Sequence, residues 1–142
     1  MHVDPRGPRF AATLTTVVLA LTLLTGSPWL LALQGVVFAF GAFRGIQHTP
    51  YAWLFRRFVR PRLAPPTELE DARPPRFAQT LGLAFAVVGL LGAVTGETAV
   101  FLVATGFALA AAFLNAAFGF CLGCEVYLII RRSTHPREEI PA

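Results

Sequence analysis

The stretch FAATLTTVVLALTLLTGSPWLLALQGVVFAFGAFR, residues 10–44, decides the fold of this chain. It holds two apolar runs, Phe10–Leu24 and Pro28–Phe43, which the short turn Thr25–Ser27 separates. Neither run contains a charged residue, and a membrane-crossing helix needs roughly 20 predominantly apolar residues. Both runs are somewhat short, but arginine side chains at their basic ends can reach the headgroups and extend them. We therefore predict a hairpin of two transmembrane helices.

A second hairpin is predicted from the apolar runs Phe77–Thr95 and Thr98–Phe120. The segment before it, DARPPRFA at residues 71–78, matches DPRGPRFA at residues 4–11 at most positions. Because each half crosses the membrane an even number of times, this duplication predicts a parallel repeat about an axis along the membrane normal. The predicted organisation is a single four-helix domain over residues 1–142, with repeats at about 4–60 and 71–132 and a Pro-rich cytoplasmic connector at about 61–76.

All twelve basic residues of the chain are arginines, and every one lies outside the apolar runs. They form three tracts: one at the N-terminus, one from Arg44 to Arg76 and one from Arg131 to Arg137. The turns inside the two hairpins carry no positive charge. Cytoplasmic loops of membrane proteins collect Lys and Arg, most strongly close to the helix ends. The pattern therefore predicts four spans in the cytoplasmic membrane, with both termini and the central loop in the cytoplasm.

The composition supports an all-α membrane protein whose first partner is the lipid bilayer. Hydrophobic residues make up 55% of the chain, charged residues 14%, and the mean hydropathy is +0.60, which excludes an ordinary soluble domain. The arginines form a membrane-facing collar, so the high pI does not indicate nucleic-acid binding. After the second and fourth runs, the arginine-bearing segments Tyr51–Arg62 and Glu125–Arg132 are predicted to be short helices in the headgroup layer.

The only two cysteines of the chain, Cys121 and Cys124, form a Cys-x-x-Cys pair where the second repeat departs from the first. Such a pair can close a small disulfide, share a soft metal ion, or act as attacking and resolving thiols. If Gly119 and Gly123 break the helix, the pair lies at the N-terminus of a final helix. The helix dipole there favours the thiolate form of a cysteine, whereas the carboxylate of Glu125 opposes it.

Four residues near this pair are candidate binding residues: Arg44, His48, Asn115 and Glu125. Arg44 aligns with Asn115 within the repeat, and a charged residue at the end of a span often marks a path or a site. The competing interpretation is that Arg44 snorkels to the headgroups and that Asn115 bonds across helices. A structural zinc site needs four ligands, and only His48 and Glu125 could join the cysteines. We therefore predict no structural metal site, and the sequence does not identify a cofactor.

The opening residues 4–10 and the closing segment FGFCLGCEVY, residues 118–127, resemble a bacterial integral-membrane family that is described only as a domain of unknown function, number 4395. The resemblance covers nearly the whole chain, and the Cys-x-x-Cys segment is its most specific part. Members are often encoded near thioredoxin-like proteins and rhodanese-type sulfurtransferases. The resemblance thus implies thiol redox or sulfur metabolism with such a cytoplasmic partner. The helix arrangement is also similar to four-helix membrane subunits of thiosulfate:quinone oxidoreductases.

Three functions remain open at this point, and with them the question of whether the chain is an enzyme or part of an oligomer. The first is thiol-redox or sulfane-sulfur handling, in which Cys121 and Cys124 exchange with a cytoplasmic protein. The second is a small transporter or receiving site for a thiophilic metal or a sulfur anion. The third is a structural membrane subunit with incidental cysteines. A quinone-coupled disulfide-forming enzyme of the periplasmic type is disfavoured, because no cysteine lies on the outer side.

Overall fold

The computed structural model describes residues 2–134, which are almost entirely helical; Arg137 of the C-terminal tract lies outside this range. Within these residues, a two-stranded antiparallel ribbon pairs the start of the chain with the segment before the second hairpin. The elements in chain order are β1 His2–Val3, α1 Arg6–Thr25, α2 Pro28–Phe43, α3 Pro50–Leu54, β2 Glu70–Asp71, α4 Arg73–Thr95, α5 Thr98–Phe118 and α6 Leu122–Thr134. A 3-10 turn, Ile46–His48, precedes α3, and a π-helical turn, Phe55–Val59, and a 3-10 turn, Arg60–Arg62, follow it.

Three helices are long and apolar enough to cross a membrane: α1 with 20 residues, α4 with 23 and α5 with 21. Less than a quarter of each apolar stretch is buried inside the protein, so most of its side chains point outward. Leu24, Trp29 and Val94 are each more than 80% exposed. Such a continuous apolar surface suits lipid contact and would be unusual in water. The membrane class predicted from the composition therefore agrees with the structure.

Helix α2 coincides with the predicted run, but its 16 residues make it shorter than the other three. At 1.5 Å per residue it is about 24 Å long, below the roughly 30 Å of a bilayer core. Its length alone does not establish a fourth span.

The first helix of each hairpin begins earlier than its apolar run predicts. Helix α1 starts at Arg6 and α4 at Arg73, so the predicted connector at about 61–76 is too long at its C-terminal end. The reason is that Pro8, Pro74 and Pro75 lie in the first turns of these helices. Proline breaks no hydrogen bond there, because the N–H groups of a first turn have no partner within the helix.

Each helix of the first hairpin packs against a helix of the second hairpin. Helix α2 packs mainly against α4, and α1 mainly against α5. Small residues allow this: a Cβ at Gly82 would lie 2.7 Å from the ring of Phe38, and one at Gly89 would lie 2.8 Å from Leu31. Close backbone approach supplies packing energy between helices in lipid, where apolar burial contributes little.

A buried polar chain ties the short helix α3 to the bundle. Gln34 of α2 is fully buried, and its Nε2 donates a hydrogen bond to Oγ1 of Thr15 in α1 at 3.2 Å. The hydroxyl of Tyr51 in α3 donates to Oε1 of Gln34 at 2.7 Å. Burial raises the pKa of Tyr51, so this hydroxyl stays protonated and keeps donating. The segment after α2 is thereby held over the charged end of the bundle.

Arginines cap the helix ends across the hairpins. Arg9 of α1 donates to the carbonyl oxygens of Ala116 and Ala117, near the end of α5, at 3.2 Å each. Arg76 of α4 makes the matching contacts to the carbonyls of Ala42 and Phe43, near the end of α2, at 2.9 and 3.0 Å. These carbonyls lack partners within their own helices, and a cation at a helix C-terminus also opposes the negative end of the dipole.

One ion pair lies at the start of each hairpin. Asp4 pairs with Arg6 at 2.8 Å, and Asp71 pairs with Arg73 at 2.7 Å. The hydrogen bonds from these guanidinium groups lower the pKa of both carboxyl groups, so both remain charged over the physiological pH range. The side chain of Asp4 is buried, whereas the Asp71 pair is exposed, and an exposed ion pair contributes little to stability.

Replacing Thr105 by valine is expected to stabilise the protein by about 1 kcal/mol. Thr105 is fully buried in α5, and its hydroxyl has no hydrogen-bond partner within residues 2–134. Valine keeps the shape and removes the desolvation cost of that hydroxyl. Thr22→Val is the matched control: Thr22 is equally buried, but its hydroxyl donates to the carbonyl of Val18 at 2.8 Å. Thermal unfolding in detergent should show a gain for T105V only; equal shifts in both variants would contradict this account.

Candidate functional site

The cysteine pair lies where the second hairpin leaves the bundle. Helix α5 ends at Phe118, and Gly119 follows in the left-handed conformation with φ of 67°. Residues with a Cβ adopt this conformation at a cost, which explains glycine at the turn. Helix α6 then begins at Leu122, directly after Cys121. Of the two glycines that the sequence analysis considered as helix breakers, Gly119 does end a helix just before the pair.

Cys121 and Cys124 are joined by a disulfide, with Cα atoms 5.1 Å apart. Cys121 occupies the position before the first residue of α6, and its Sγ accepts a hydrogen bond from the backbone N–H of Cys124 at 3.1 Å. A side chain that accepts from the third residue of a helix is an N-cap. The sulfur of Cys121 therefore faces the positive end of the α6 dipole. Both residues are partly accessible, so neither is sealed in a core.

Gly123 does not break the helix, contrary to the sequence-based expectation; it is the second residue of α6. Its role is close packing, because a Cβ at this position would lie 2.5 Å from the Cβ and 2.6 Å from the Cα of Ala78 in α4. One turn further on, the ring of Tyr127 packs against Phe77 with centroids 5.6 Å apart. These contacts fix α6, and with it the cysteine pair, on the surface of α4.

Two cavities meet at the disulfide. The smaller one, about 310 Å³, is lined by both cysteines together with Arg6, Arg9, Glu70 and Asn115. The larger one, about 720 Å³, extends into the bundle between the two hairpins and includes Cys121 in its wall, but not Cys124. Asn115 lines both cavities. Cys121 is therefore in contact with both spaces, and Cys124 only with the smaller, more polar one.

The sequence-predicted binding residues have different positions relative to this site. Asn115 lies in the wall beside Cys121. Arg44 is exposed at the end of α2, His48 is exposed in the turn after it, and Glu125 is exposed on α6; none of the three lines either cavity. The structure thus brings Asn115 to the cysteines and leaves Arg44, His48 and Glu125 at the surface.

Sequence reasoning missed Arg6 and Arg9, the two arginines that share the smaller cavity with both cysteines. A signal for Arg9 existed, because Arg9 belongs to the Pro-Arg-Phe-Ala segment that recurs with Arg76 before the second hairpin. Arg9 could not be assigned to the site because the packing of α1 against α5, which brings Arg9 to the end of α5, is a tertiary feature.

Within residues 2–134, no group of three or more His, Cys, Asp or Glu side chains is placed to hold a metal ion.

The fold and the site define a class of small helical membrane protein with a Cys-x-x-Cys pair at its charged end. The chain belongs to the family described as "Domain of unknown function (DUF4395)", whose model matches residues 3–132. This confirms the family predicted from the two terminal segments. No curated protein and no solved structure matches the chain.

Proposed function

We propose that this protein is an integral membrane component of thiol redox, in which Cys121 and Cys124 alternate between a disulfide and two thiols on the cytoplasmic side. The observation that carries the proposal is the position of the pair. It lies partly accessible at a helix N-terminus, beside Arg6, Arg9 and Glu70, rather than in a packed core. Reactive cysteines occur in partly exposed surroundings near helix N-termini and basic side chains, whereas structural cysteines are buried and inert.

The surroundings distinguish the two sulfur atoms. In the reduced state, a thiolate at Cys121 would be stabilised by the N–H of Cys124, by the α6 dipole and by the charge of Arg9. Cys121 is therefore the better leaving group when the disulfide is attacked. An incoming thiolate forms a bond to the sulfur of Cys124, and the S–S bond breaks with its electron pair on Cys121.

The exchange is completed by the second thiol of the substrate. That thiol, as its thiolate, attacks the substrate sulfur of the mixed disulfide and releases Cys124 as a thiolate. The substrate leaves with a new disulfide, and the pair has gained two electrons and takes up the two protons that the substrate thiols lost. A substrate of this class is a dithiol on a cytoplasmic protein of the thioredoxin-like or rhodanese type, as the family resemblance implies.

The test of this proposal is a redox titration of the full-length protein in lipid vesicles, with dithiothreitol as the reductant and alkylation by a mass-tagged maleimide as the readout. The pair should convert between zero and two tags with one midpoint between about −320 and −120 mV, the span of exchange-active dithiols and their buffers. If the pair stays oxidised, or takes up no tag, at potentials below that span, the proposal is overturned and the cysteines are structural.

Arg9→Gln is expected to lower the reduction potential of the pair by about 15–30 mV, because a stabilisation of 1.4 kcal/mol corresponds to about 30 mV for two electrons. Removing the positive charge destabilises the reduced, thiolate-bearing state. Arg76→Gln is the matched control, since Arg76 makes the same kind of helix-end hydrogen bonds but lies away from the cysteines. Equal potentials in R9Q and R76Q would show that Arg9 acts only as a helix cap.

We further propose that α2 is a fourth span and that both termini and the central connector face the cytoplasm, with two hairpins related by an axis along the membrane normal. Support comes from the charges: from residue 10 to residue 43 and from 77 to 118, the only charged residue is Glu97 in a turn. The matched cross-hairpin bonds of Arg9 and Arg76 support the parallel relation.

Reporter fusions test this topology. Alkaline phosphatase fused after Thr25 or after Glu97 should be active, because both turns are expected outside. The same reporter fused within residues 65–71 or after Arg132 should be inactive, and green fluorescent protein at these sites should fluoresce. An externally active fusion in the central connector would refute the orientation and, with it, the cytoplasmic position of the cysteines.

A further inference from the structure

The larger cavity joins the cysteine pair to the lipid. One end of the cavity includes Cys121, Arg56 and Arg60. The other end includes Phe85 and Phe107. These two phenylalanines lie halfway along α4 and α5, are stacked with centroids 6.2 Å apart, and are 37% and 61% exposed. The cavity therefore opens sideways, between two apolar helices, onto the surface that faces lipid.

The lining changes along this path. The deeper part is formed by apolar and small side chains such as Phe38, Ala108 and Ala112, whereas the end near the disulfide carries amides and charges. Two of these amides are the side chains of Gln79 and Asn115, both partly exposed. The volume of about 720 Å³ falls within the roughly 300–1,000 Å³ of small-molecule sites. Such a cavity fits an amphiphile with an apolar tail and a head that accepts hydrogen bonds.

We propose that this cavity binds a lipid-soluble quinone, which reoxidises the reduced cysteine pair; this rests on the proposed thiol-redox function. The argument for a quinone rather than an acyl lipid is the presence of Cys121 in the cavity wall. A dithiol that becomes a disulfide loses two electrons and two protons, and a quinone is the lipid-soluble molecule class that accepts both. Its carbonyl oxygens can accept hydrogen bonds from the amide groups of Gln79 and Asn115, which line the cavity.

The reaction balances with the residues present. The Cys121 thiolate forms a carbon–sulfur bond with the quinone ring. The thiolate of Cys124 then attacks the sulfur of Cys121, so that the S–S bond forms and the carbon–sulfur bond breaks with its electrons on the ring. The ring leaves as a hydroquinone after its two oxygens take the two protons given up by the thiols. Each turnover thus yields one disulfide and one hydroquinone.

The experiment uses the full chain in lipid vesicles, reduced with dithiothreitol and then freed of it, with decylubiquinone as the probe. Hydroquinone formation is followed by absorbance, and disulfide formation by alkylation. We expect equal amounts of both products. Ala112→Phe, which fills the cavity, should slow the reaction about tenfold or more, whereas Ala110→Phe, on the exposed side of the same helix, should leave it unchanged.

The outcomes separate this inference from the function on which it rests. If the pair exchanges with dithiothreitol but decylubiquinone is not reduced, the quinone inference is overturned and the thiol-redox function stands. If the pair never opens, both fall. Equal rates in A112F and A110F would show reaction outside the cavity and also overturn the inference. Organic extraction of protein purified from native membranes should yield quinone; acyl lipid alone, released by A112F, would make the cavity a lipid site instead.

Discussion

Replacing Gly123 by valine is expected to detach α6 from the bundle and to lower the free energy of unfolding by about 1–3 kcal/mol or more. A Cβ at this position would lie 2.6 Å from the Cα of Ala78, which is backbone and cannot rotate away. Helix α6 must therefore move outward and lose the contact between Tyr127 and Phe77. Since Cys121 and Cys124 belong to the start of this helix, their disulfide should become more accessible to reductants.

The measurement combines thermal unfolding with the rate at which dithiothreitol opens the disulfide. Gly106→Val is the control, because a Cβ at Gly106 meets no other atom within 4 Å and Gly106, like Gly123, is a partly exposed helical residue. Adding Ala78→Gly to G123V should rescue only part of the loss, because the Cα of residue 78 remains. If G123V matches G106V in both measurements, the close approach of α6 to α4 is not a structural requirement.

Strong helix start and stop signals in the sequence predicted the helix ends well. Helix α2 agrees with its predicted run at both ends, because Ser27-Pro28 starts it and Arg44 ends the apolar stretch. The starts of α1 and α4 were placed too late, because prolines in a first turn look like helix breakers in a sequence although they break no hydrogen bond there. The parallel repeat stays a prediction.

Of the candidate site, the sequence predicted the cysteine pair and Asn115 but not the basic side chains around them. The spacing of Cys121 and Cys124 is a local feature, and so is the turn at Gly119, so both were identified from the sequence alone. Arg9 and the close contact of Gly123 with Ala78 depend on which helices pack together. The apolar pattern predicts a membrane-crossing helix, but it does not predict which neighbouring helix its faces contact. The reason is that lipid and protein are equally apolar partners.

The same dependence on helix packing explains why the sequence pointed to Arg44 as a candidate binding residue. Aligning the second helices of the two hairpins places it opposite Asn115, which does line the site. However, the arginine that reaches that end of α5 comes from the first helix of the other hairpin, as the bonds from Arg9 to Ala116 and Ala117 demonstrate. An alignment within the repeat cannot reveal a contact that crosses between the repeats.

Replacing either cysteine by serine is expected to abolish redox cycling completely, while membrane insertion and helix content stay unchanged. Both sulfur atoms are needed to close the disulfide, whereas their three-residue separation constrains little of the unfolded chain. Oxidation of a soluble dithiol such as dihydrolipoamide in vesicles measures the cycling, and circular dichroism measures the helices. If the double serine variant fully supports growth in a sulfur-source assay, and neither thiol of the wild type changes oxidation state or takes up sulfur or metal, the cysteines serve packing.

The two single variants should differ from each other in reactivity. In Cys124→Ser the remaining Cys121 keeps the α6 dipole, the N–H of residue 124 and the nearby charge of Arg9. In Cys121→Ser the remaining Cys124 lies inside the first turn and lacks the capping position. These differences amount to about 1 kcal/mol, so iodoacetamide should alkylate Cys121 about three- to tenfold faster at neutral pH. Equal rates, or a faster Cys124, would contradict the assignment of Cys121 as the stabilised thiolate and would reverse the proposed order of exchange.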